Sequence, residues 1–156
     1  MNDFKIDQAD QSDYQEMIAV WEASVRATHH FLTEEDIVTY RKLILNEYFD
    51  LVKLYCVRSE DQIIGFMGID GKFLQMLFVH PDFRGKEVGK QLLHFAITEK
   101  QVDKVDVNEQ NLQAIGFYEK LGFKTFSRTE SDAAGKPYPI LSMELQTSIF
   151  DDLLTI

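Results

Sequence analysis

Leu77-Phe78-Val79-His80-Pro81-Asp82-Phe83-Arg84-Gly85-Lys86-Glu87-Val88-Gly89-Lys90-Gln91-Leu92-Leu93 reads as a strand, a tight turn and a helix in direct succession. Pro81 stops the strand, because it has no N–H to give to a ladder. From Gly85 to Lys100 the spacing turns helical, with Val88, Leu92, Leu93, Ala96 and Ile97 facing inward and the helix beginning near Lys86. The first N–H groups of a helix have no internal partner and sit at the positive end of its dipole, so they suit a phosphate. Gly85 and Gly89 allow the backbone and a ligand to approach closely. Arg84, Lys86 and Lys90 form a basic island in a chain whose formal net charge is −10. The plain alternative is a strand-to-helix connection whose glycines only make a turn. The stretch contains neither GxxxxGK[ST], which excludes a nucleoside-triphosphate loop, nor GxGxxG, which counts against a dinucleotide site.

Working outward, Phe4 to Asp7 reads as a first strand. Ser12 is read as an N-cap with Gln15 as its capping-box partner, opening a helix that buries Tyr14, Met17, Ile18, Trp21 and Val25. Thr33 caps a second helix, with Glu34, Glu35 and Asp36 in its first turn and Ile37, Ile44 and Tyr48 as its apolar stripe. Strands are expected over Leu54 to Arg58, Gln62 to Ile69 and Phe73 to Val79, joined by turns at Glu60-Asp61 and Asp70-Gly71. After the central helix come a strand at Lys104 to Val107 and a helix from Asn111 to Leu121 closed by Gly122. A last hairpin joins Phe123 to Arg128 and Ile140 to Leu145 across the loop Ser131 to Pro139. The order β-α-α-β-β-β-α-β-α-β-β describes an α+β fold, a mixed, mostly antiparallel sheet flanked by helices.

The chain has 156 residues, 45% of them hydrophobic, which fits one compact domain over residues 1–146. Residues 147–156 form a tail in which Ile149, Phe150, Leu153 and Leu154 have helical spacing, suited to docking on the body or on a second copy, so a monomer or a homodimer is expected. The N-terminus is acidic and polar, unlike a secretory signal, and no apolar run is long enough to span a bilayer. A cytoplasmic protein is expected. Its single cysteine, Cys56, lies in a strand and reads as a buried structural thiol, and no Cys/His spacing suggests a metal. The acidic balance argues against nucleic acid or an anionic membrane as partner and is compatible with a cationic amine.

Two segments resemble a known family. Arg84-Gly85-Lys86-Glu87-Val88-Gly89-Lys90 resembles the acetyl-CoA loop of the GNAT-type N-acetyltransferases, and Asn111-Leu112-Gln113-Ala114-Ile115-Gly116-Phe117-Tyr118-Glu119-Lys120-Leu121-Gly122-Phe123 resembles the family's second signature. The element order is the family's too, so the resemblance runs from about Phe4 to Leu145 and implies the acyl-CoA N-acyltransferase fold. One position departs: Glu87 stands where the family has the first glycine of the loop, and the reading preferred is that its side chain lies on the solvent face while its amide still serves the ligand.

The resemblance implies acetyl-CoA as co-substrate, with no metal, and a primary amine on a small molecule or peptide as acceptor. It assigns the pantetheine arm to the backbone of Leu77, Phe78 and Val79, and the pyrophosphate to the segment Arg84, Gly85, Lys86, Glu87, Val88, Gly89 and Lys90. Asn111 would bond the pantetheine amide region, with Ala114 and Phe117 lining its wall and Tyr118 acting as general acid. A phenol with a pKa of about 10 can supply a proton to a leaving thiolate whose thiol lies near 8.5. For the base there are two candidates, His29 and Glu109 after the fifth strand, because Gln75 and Met76 occupy the place where some members carry a glutamate. Trp21, His29, Phe31 and Tyr138 are expected around the acceptor. A degenerate module that binds coenzyme A without efficient turnover is the competing function, and a purely structural domain comes third.

Overall fold

The structure is a computed structural model describing residues 4–146, which fold as two compact units. The first, Met1–Val102, holds β1 (Lys5–Gln8), α1 (Tyr14–Thr28), α2 (Glu34–Asn46), β2 (Lys53–Ser59), β3 (Gln62–Asp70), β4 (Phe73–Val79) and α3 (Val88–Lys100). Its strands pair antiparallel in the order β1-β2-β3-β4, with Lys5 opposite Arg58, Leu54 opposite Gly68 and Phe66 opposite Phe78. β3 is buried at every position from Ile63 to Ile69, because both of its faces are covered. On one face Leu54, Cys56, Ile63 and Phe66 pack with Met17, Ile18, Trp21 and Val25 of α1 and Ile37 and Ile44 of α2. On the other, Tyr55 stacks near Phe95 of α3 at 5.4 Å between ring centres, and Val88 and Leu92 of α3 lie over Gly65. Cys56 is fully buried, as its place in a strand suggested.

The second unit, from Asp103, holds β5 (Lys104–Asn108), α4 (Leu112–Lys120), β6 (Phe123–Thr129) and β7 (Ile140–Leu145). The order is β5-β7-β6, again antiparallel, with Val105 opposite Met143 and Phe123 opposite Leu145. Val105, Val107, Met143, Leu145, Phe123, Leu121 and Tyr118 form its buried side, and Gly122 closes α4 at φ 100° as its position predicts. No helix among the described residues is long and apolar enough to cross a membrane. The tail expected to be helical, 147–156, lies outside the described residues.

Several boundaries differ from the sequence reading. The cap before α1 is Asp10, not Ser12: the Asp10 carboxylate accepts from the Ser12 N–H, and Asp13 reciprocates, closing a 3-10 turn over Gln11–Asp13 that runs into α1. A carboxylate at Asp10 has more acceptor capacity than the Ser12 hydroxyl, which itself donates to Asp10. Gln15 takes no part in the cap. At Thr33 the expected cap forms, with Asp36 completing a capping box. Tyr48 falls in a 3-10 turn after α2 instead of in its stripe. The β3–β4 turn is Gly71-Lys72, one residue later than Asp70-Gly71, since Asp70 still pairs with Phe73. α3 begins at Val88, later than the expected Gly85 to Lys86 start, because Glu87 adopts a left-handed conformation.

Candidate functional site

β4 delivers the chain into the predicted anion seat. The His80 N–H bonds to Ile64 O at 2.7 Å, and the register then pairs Phe78 with Phe66. In an antiparallel ladder the hydrogen-bonded residues alternate, so the peptide groups of His80 and Phe78 serve β3 while those of Leu77 and Val79 point away from it. Pro81–Phe83 makes a 3-10 turn capped by His80, whose Nδ1 accepts from the Asp82 N–H at 3.1 Å. Arg84, Gly85, Lys86 and Glu87 follow as an exposed turn, with Gly85 at φ 77° and Glu87 at φ 68°. The glutamate side chain is on solvent, as expected of it.

The N–H groups of Gly85, Lys86, Glu87, Val88, Gly89 and Lys90 donate to no described residue; the first donor of the helix is Gln91, to the Glu87 carbonyl at 2.9 Å. Arg84, Lys86 and Lys90 make no ion pair among the described residues, and Lys86 rests over the Phe83 ring at 5.3 Å. Elsewhere in the chain Arg26, Arg41, Arg58 and Arg128 are each tied to a carboxylate. Six consecutive donors and three cations, Arg84 before the row and Lys86 and Lys90 within it, all without a hydrogen-bond or ion-pair partner among the described residues, can hold a phosphate or pyrophosphate. The Cβ atom that would be added at Gly85 meets nothing within 4 Å, so space for a ligand exists over the turn.

Also in the first unit, His29 follows the last residue of α1. Its ring lies 5.3 Å from Phe31 and 6.4 Å from Phe78 of β4 between ring centres, and its Nδ1 is 2.7 Å from Thr28 Oγ1. Burial, with His30 adding a smaller effect, pushes the imidazole down to about 4, so it is neutral at physiological pH. His29 and Phe31 therefore stand together beside β4. Trp21 does not join them: it is 3% exposed, inside the core between α1 and the sheet, and is a packing residue instead of an acceptor wall. Gln75 sits at the β3–β4 register shift, where Gly68 faces Met76 and Ile69 faces Leu74.

In the second unit, Asn111 caps α4, its side-chain oxygen accepting from the Ala114 N–H at 3.2 Å. That oxygen is engaged locally, which leaves its amide NH2 for any ligand. Ala114 and Phe117 are half-buried. Tyr118 is packed between Phe117 and Phe123 at 5.2 and 5.6 Å, and burial raises its phenol above the ordinary tyrosine range. Its hydroxyl bonds to no described residue. Glu109 is bound by the Arg128 guanidinium through two contacts, one of them at 3.2 Å, which holds its carboxyl below the usual range. A carboxylate stabilised in its charged form is a poor proton acceptor, which weighs against Glu109 as the base. Tyr138 is half-buried, its N–H bonded to Lys136 O. The sequence reading gave Thr28 no catalytic role; its adjacency to His29 is visible in the sequence, but not the hydroxyl-to-imidazole contact.

The acetyltransferase (GNAT) domain family matches residues 50–125. Peptidyl-lysine N-acetyltransferase YjaB of Salmonella typhimurium LT2 is 40% identical over 129 residues, 83% of this chain and 89% of that protein. YjaB of Escherichia coli K12 is also 40% identical, over 83% and 88% of the two chains. The solution structure of apo YjaB from Escherichia coli superposes with a TM-score of 0.83 at 37% identity, covering 93% of this chain and 99% of that one. PaiA N-acetyltransferase from Thermoplasma acidophilum, solved in complex with coenzyme A, superposes with a TM-score of 0.70 over 92% and 99% of the chains; at 22% identity it speaks to the fold alone. With both of its signature segments inside so extensive a likeness, the chain belongs to the GNAT family and is an N-acetyltransferase.

Proposed function

We propose that this N-acetyltransferase takes its acetyl group from acetyl-CoA and passes it to a primary amine, the side chain of lysine in a peptide. The observation that carries the donor is the row of six N–H groups from Gly85 to Lys90 that, like the three cations Arg84, Lys86 and Lys90 beside them, have no hydrogen-bond or ion-pair partner among the described residues. Coenzyme A is the phosphate-rich ligand that such a row suits, and the names of the curated relatives support a peptidyl-lysine acceptor.

In this reading Arg84, Lys86 and Lys90 neutralise phosphate charge while the amides of the turn and of the first turn of α3 donate to its oxygens. Leu77 and Val79 offer to the pantetheine amides the peptide groups that they turn away from β3. Acetyl-CoA supplies an activated thioester carbonyl. His29, held neutral beside Phe31 and Phe78, accepts the proton that the amine gives up. Tyr118 stays protonated at every working pH, because burial raises its phenol, and donates to the charge developing on sulfur; a thiolate in equally dry surroundings is raised as well, which brings donor and acceptor closer.

The test is calorimetry with coenzyme A, followed by thiol release with lysine peptides. Replacing Arg84, Lys86 and Lys90 together by glutamine is expected to weaken coenzyme A binding by a hundredfold or so, about 1 kcal/mol for each positive charge removed from beside a phosphate. Wild-type protein that ignores coenzyme A at millimolar concentration sinks the donor assignment. Tight binding without transfer to any amine returns the binding-module reading.

A further inference from the structure

Thr28 closes α1, and its hydroxyl touches two atoms with lone pairs at once. Its Oγ1 is 2.9 Å from the Ser24 carbonyl oxygen and 2.7 Å from His29 Nδ1. A hydroxyl carries one proton and a carbonyl oxygen carries none, so the contact with Ser24 is attractive only if the Thr28 proton points there. The Oγ1 lone pair then faces Nδ1, and that contact is attractive only if Nδ1 is itself protonated. Both distances together therefore select one tautomer: Nδ1–H donating to Thr28, with Nε2 bare.

The bare nitrogen has somewhere to act. Nε2 bonds to no described residue, and no unpartnered side-chain nitrogen or oxygen among the described residues is sealed from solvent. The lone pair thus reaches accessible space, beside the rings of Phe31 and Phe78. Phe78 belongs to β4, the strand whose peptide groups at Leu77 and Val79 are turned away from β3.

We propose that Thr28 is a positioning residue: it locks His29 as the Nδ1–H tautomer so that Nε2 presents its lone pair to the N–H of the attacking amine. This rests on the acetyl-transfer reading above. In that transfer the nitrogen lone pair forms the C–N bond at the thioester carbonyl, and the C–S bond breaks with its electron pair on sulfur. One N–H proton then passes to Nε2, giving an imidazolium that releases it to solvent, while sulfur takes up a proton of its own. An imidazole disfavoured as a cation by burial is too weak to deprotonate a free lysine ammonium, whose pKa is about 10.4. It is strong enough once the nitrogen has begun to bond to the carbonyl carbon, because the positive charge building on that nitrogen makes its proton far more acidic. The amine therefore arrives neutral, and Nε2 acts during C–N bond formation.

The experiment reads the ring nitrogens of the apoprotein by proton–nitrogen correlation spectroscopy at neutral pH, with His29 assigned from its loss in His29→Gln. Wild type and Thr28→Ser are expected to show a protonated Nδ1 and a bare Nε2. Thr28→Val is expected to shift His29 toward the Nε2–H form. In steady-state acetylation of a lysine peptide at saturating acetyl-CoA, kcat should fall about tenfold or more in Thr28→Val and recover to near wild type in Thr28→Ser. Coenzyme A binding by calorimetry should be unchanged in both. A wild-type His29 that carries its proton on Nε2 overturns the proposal. So does a Thr28→Val protein that keeps the wild-type tautomer or the wild-type kcat. Because the tautomer is read without any substrate, a wild type that shows it but acetylates no amine overturns the acetyl-transfer reading and the role, while the tautomer itself stands.

Discussion

Glu87 holds φ 68° and ψ 13° at the point where the chain enters α3. A residue with a Cβ pays roughly 1–2 kcal/mol for that left-handed conformation, and glycine does not. The glutamate also brings a negative charge next to six N–H groups that have no partner among the described residues and are proposed to hold phosphate. Glu87→Gly is therefore expected to raise stability by about 0.5–1 kcal/mol, after the extra freedom that glycine gives the unfolded chain is subtracted. It should also tighten coenzyme A binding several-fold. Glu87→Ala separates the two effects, since it removes the charge and keeps the Cβ: affinity should rise with little gain in melting temperature. Scanning calorimetry and titration calorimetry on the two variants check this. The position was legible in sequence as a departure from the family's glycine, and so was its solvent-facing side chain. What the sequence did not reveal is the sign of φ, and with it the later start of α3, because apolar periodicity carries no information about backbone handedness. Trp21 was read both as part of the buried stripe of α1 and as an acceptor wall, and only the first holds: an aromatic on that stripe looks the same in sequence whether the stripe faces a ligand or a core.

The seat itself depends on how α3 rests on the sheet. Gly65 of β3 lies under the first turn of α3, where an added Cβ would stand 3.1 Å from Val88 Cγ1, 3.3 Å from the Phe78 carbonyl oxygen and 3.5 Å from Leu92 Cδ1. The carbonyl belongs to the sheet and cannot yield, so the helix must. Gly65→Ala is expected to destabilise the fold by about 1–3 kcal/mol through overpacking, and to weaken coenzyme A binding several-fold because Val88 and its neighbours carry the donors. Gly116→Ala is the contrast: that glycine is exposed within α4 and meets nothing within 4 Å, so alanine there should be neutral or stabilise by up to about 1 kcal/mol. Denaturant midpoints and coenzyme A titrations on both variants check the pair, and a Gly65→Ala protein of wild-type stability and affinity would show that α3 is not held by this contact. At this scale the sequence was a good guide where elements end in punctuation. β4 and β7 have the expected bounds, and Gly122 closes α4. It was a poorer guide where two residues compete for one role, as Asp10 and Ser12 do at the entry to α1, or where a turn slides by one position, as at Gly71-Lys72.

The charge of the molecule as a whole sets the terms on which an acceptor arrives. A formal net charge of −10 coexists with a basic island at Arg84, Lys86 and Lys90, in the loop proposed to hold phosphate, while the other arginines are each engaged by a carboxylate. The remaining acidic surface attracts a cationic peptide over a distance set by salt: the screening length is about 30 Å at 0.01 M and about 8 Å at 0.15 M. Raising ionic strength across that range is expected to lower kcat/KM for a lysine peptide with basic flanks by about tenfold, while kcat at saturating peptide stays level, because the field assists encounter and not the chemical step. The same lysine flanked by glutamates should be a poorer substrate at low salt and should improve as salt is added, since its repulsion is screened by the same ions. Opposite slopes for the two peptides are the signature of a field acting on the acceptor. Parallel slopes would point instead to screening of the phosphate contacts at Arg84, Lys86 and Lys90, which both peptides share. A flat response to salt in both would mean that neither the acidic surface nor the basic island governs the rate, leaving acceptor choice to the shape of the surfaces around His29 and Phe31.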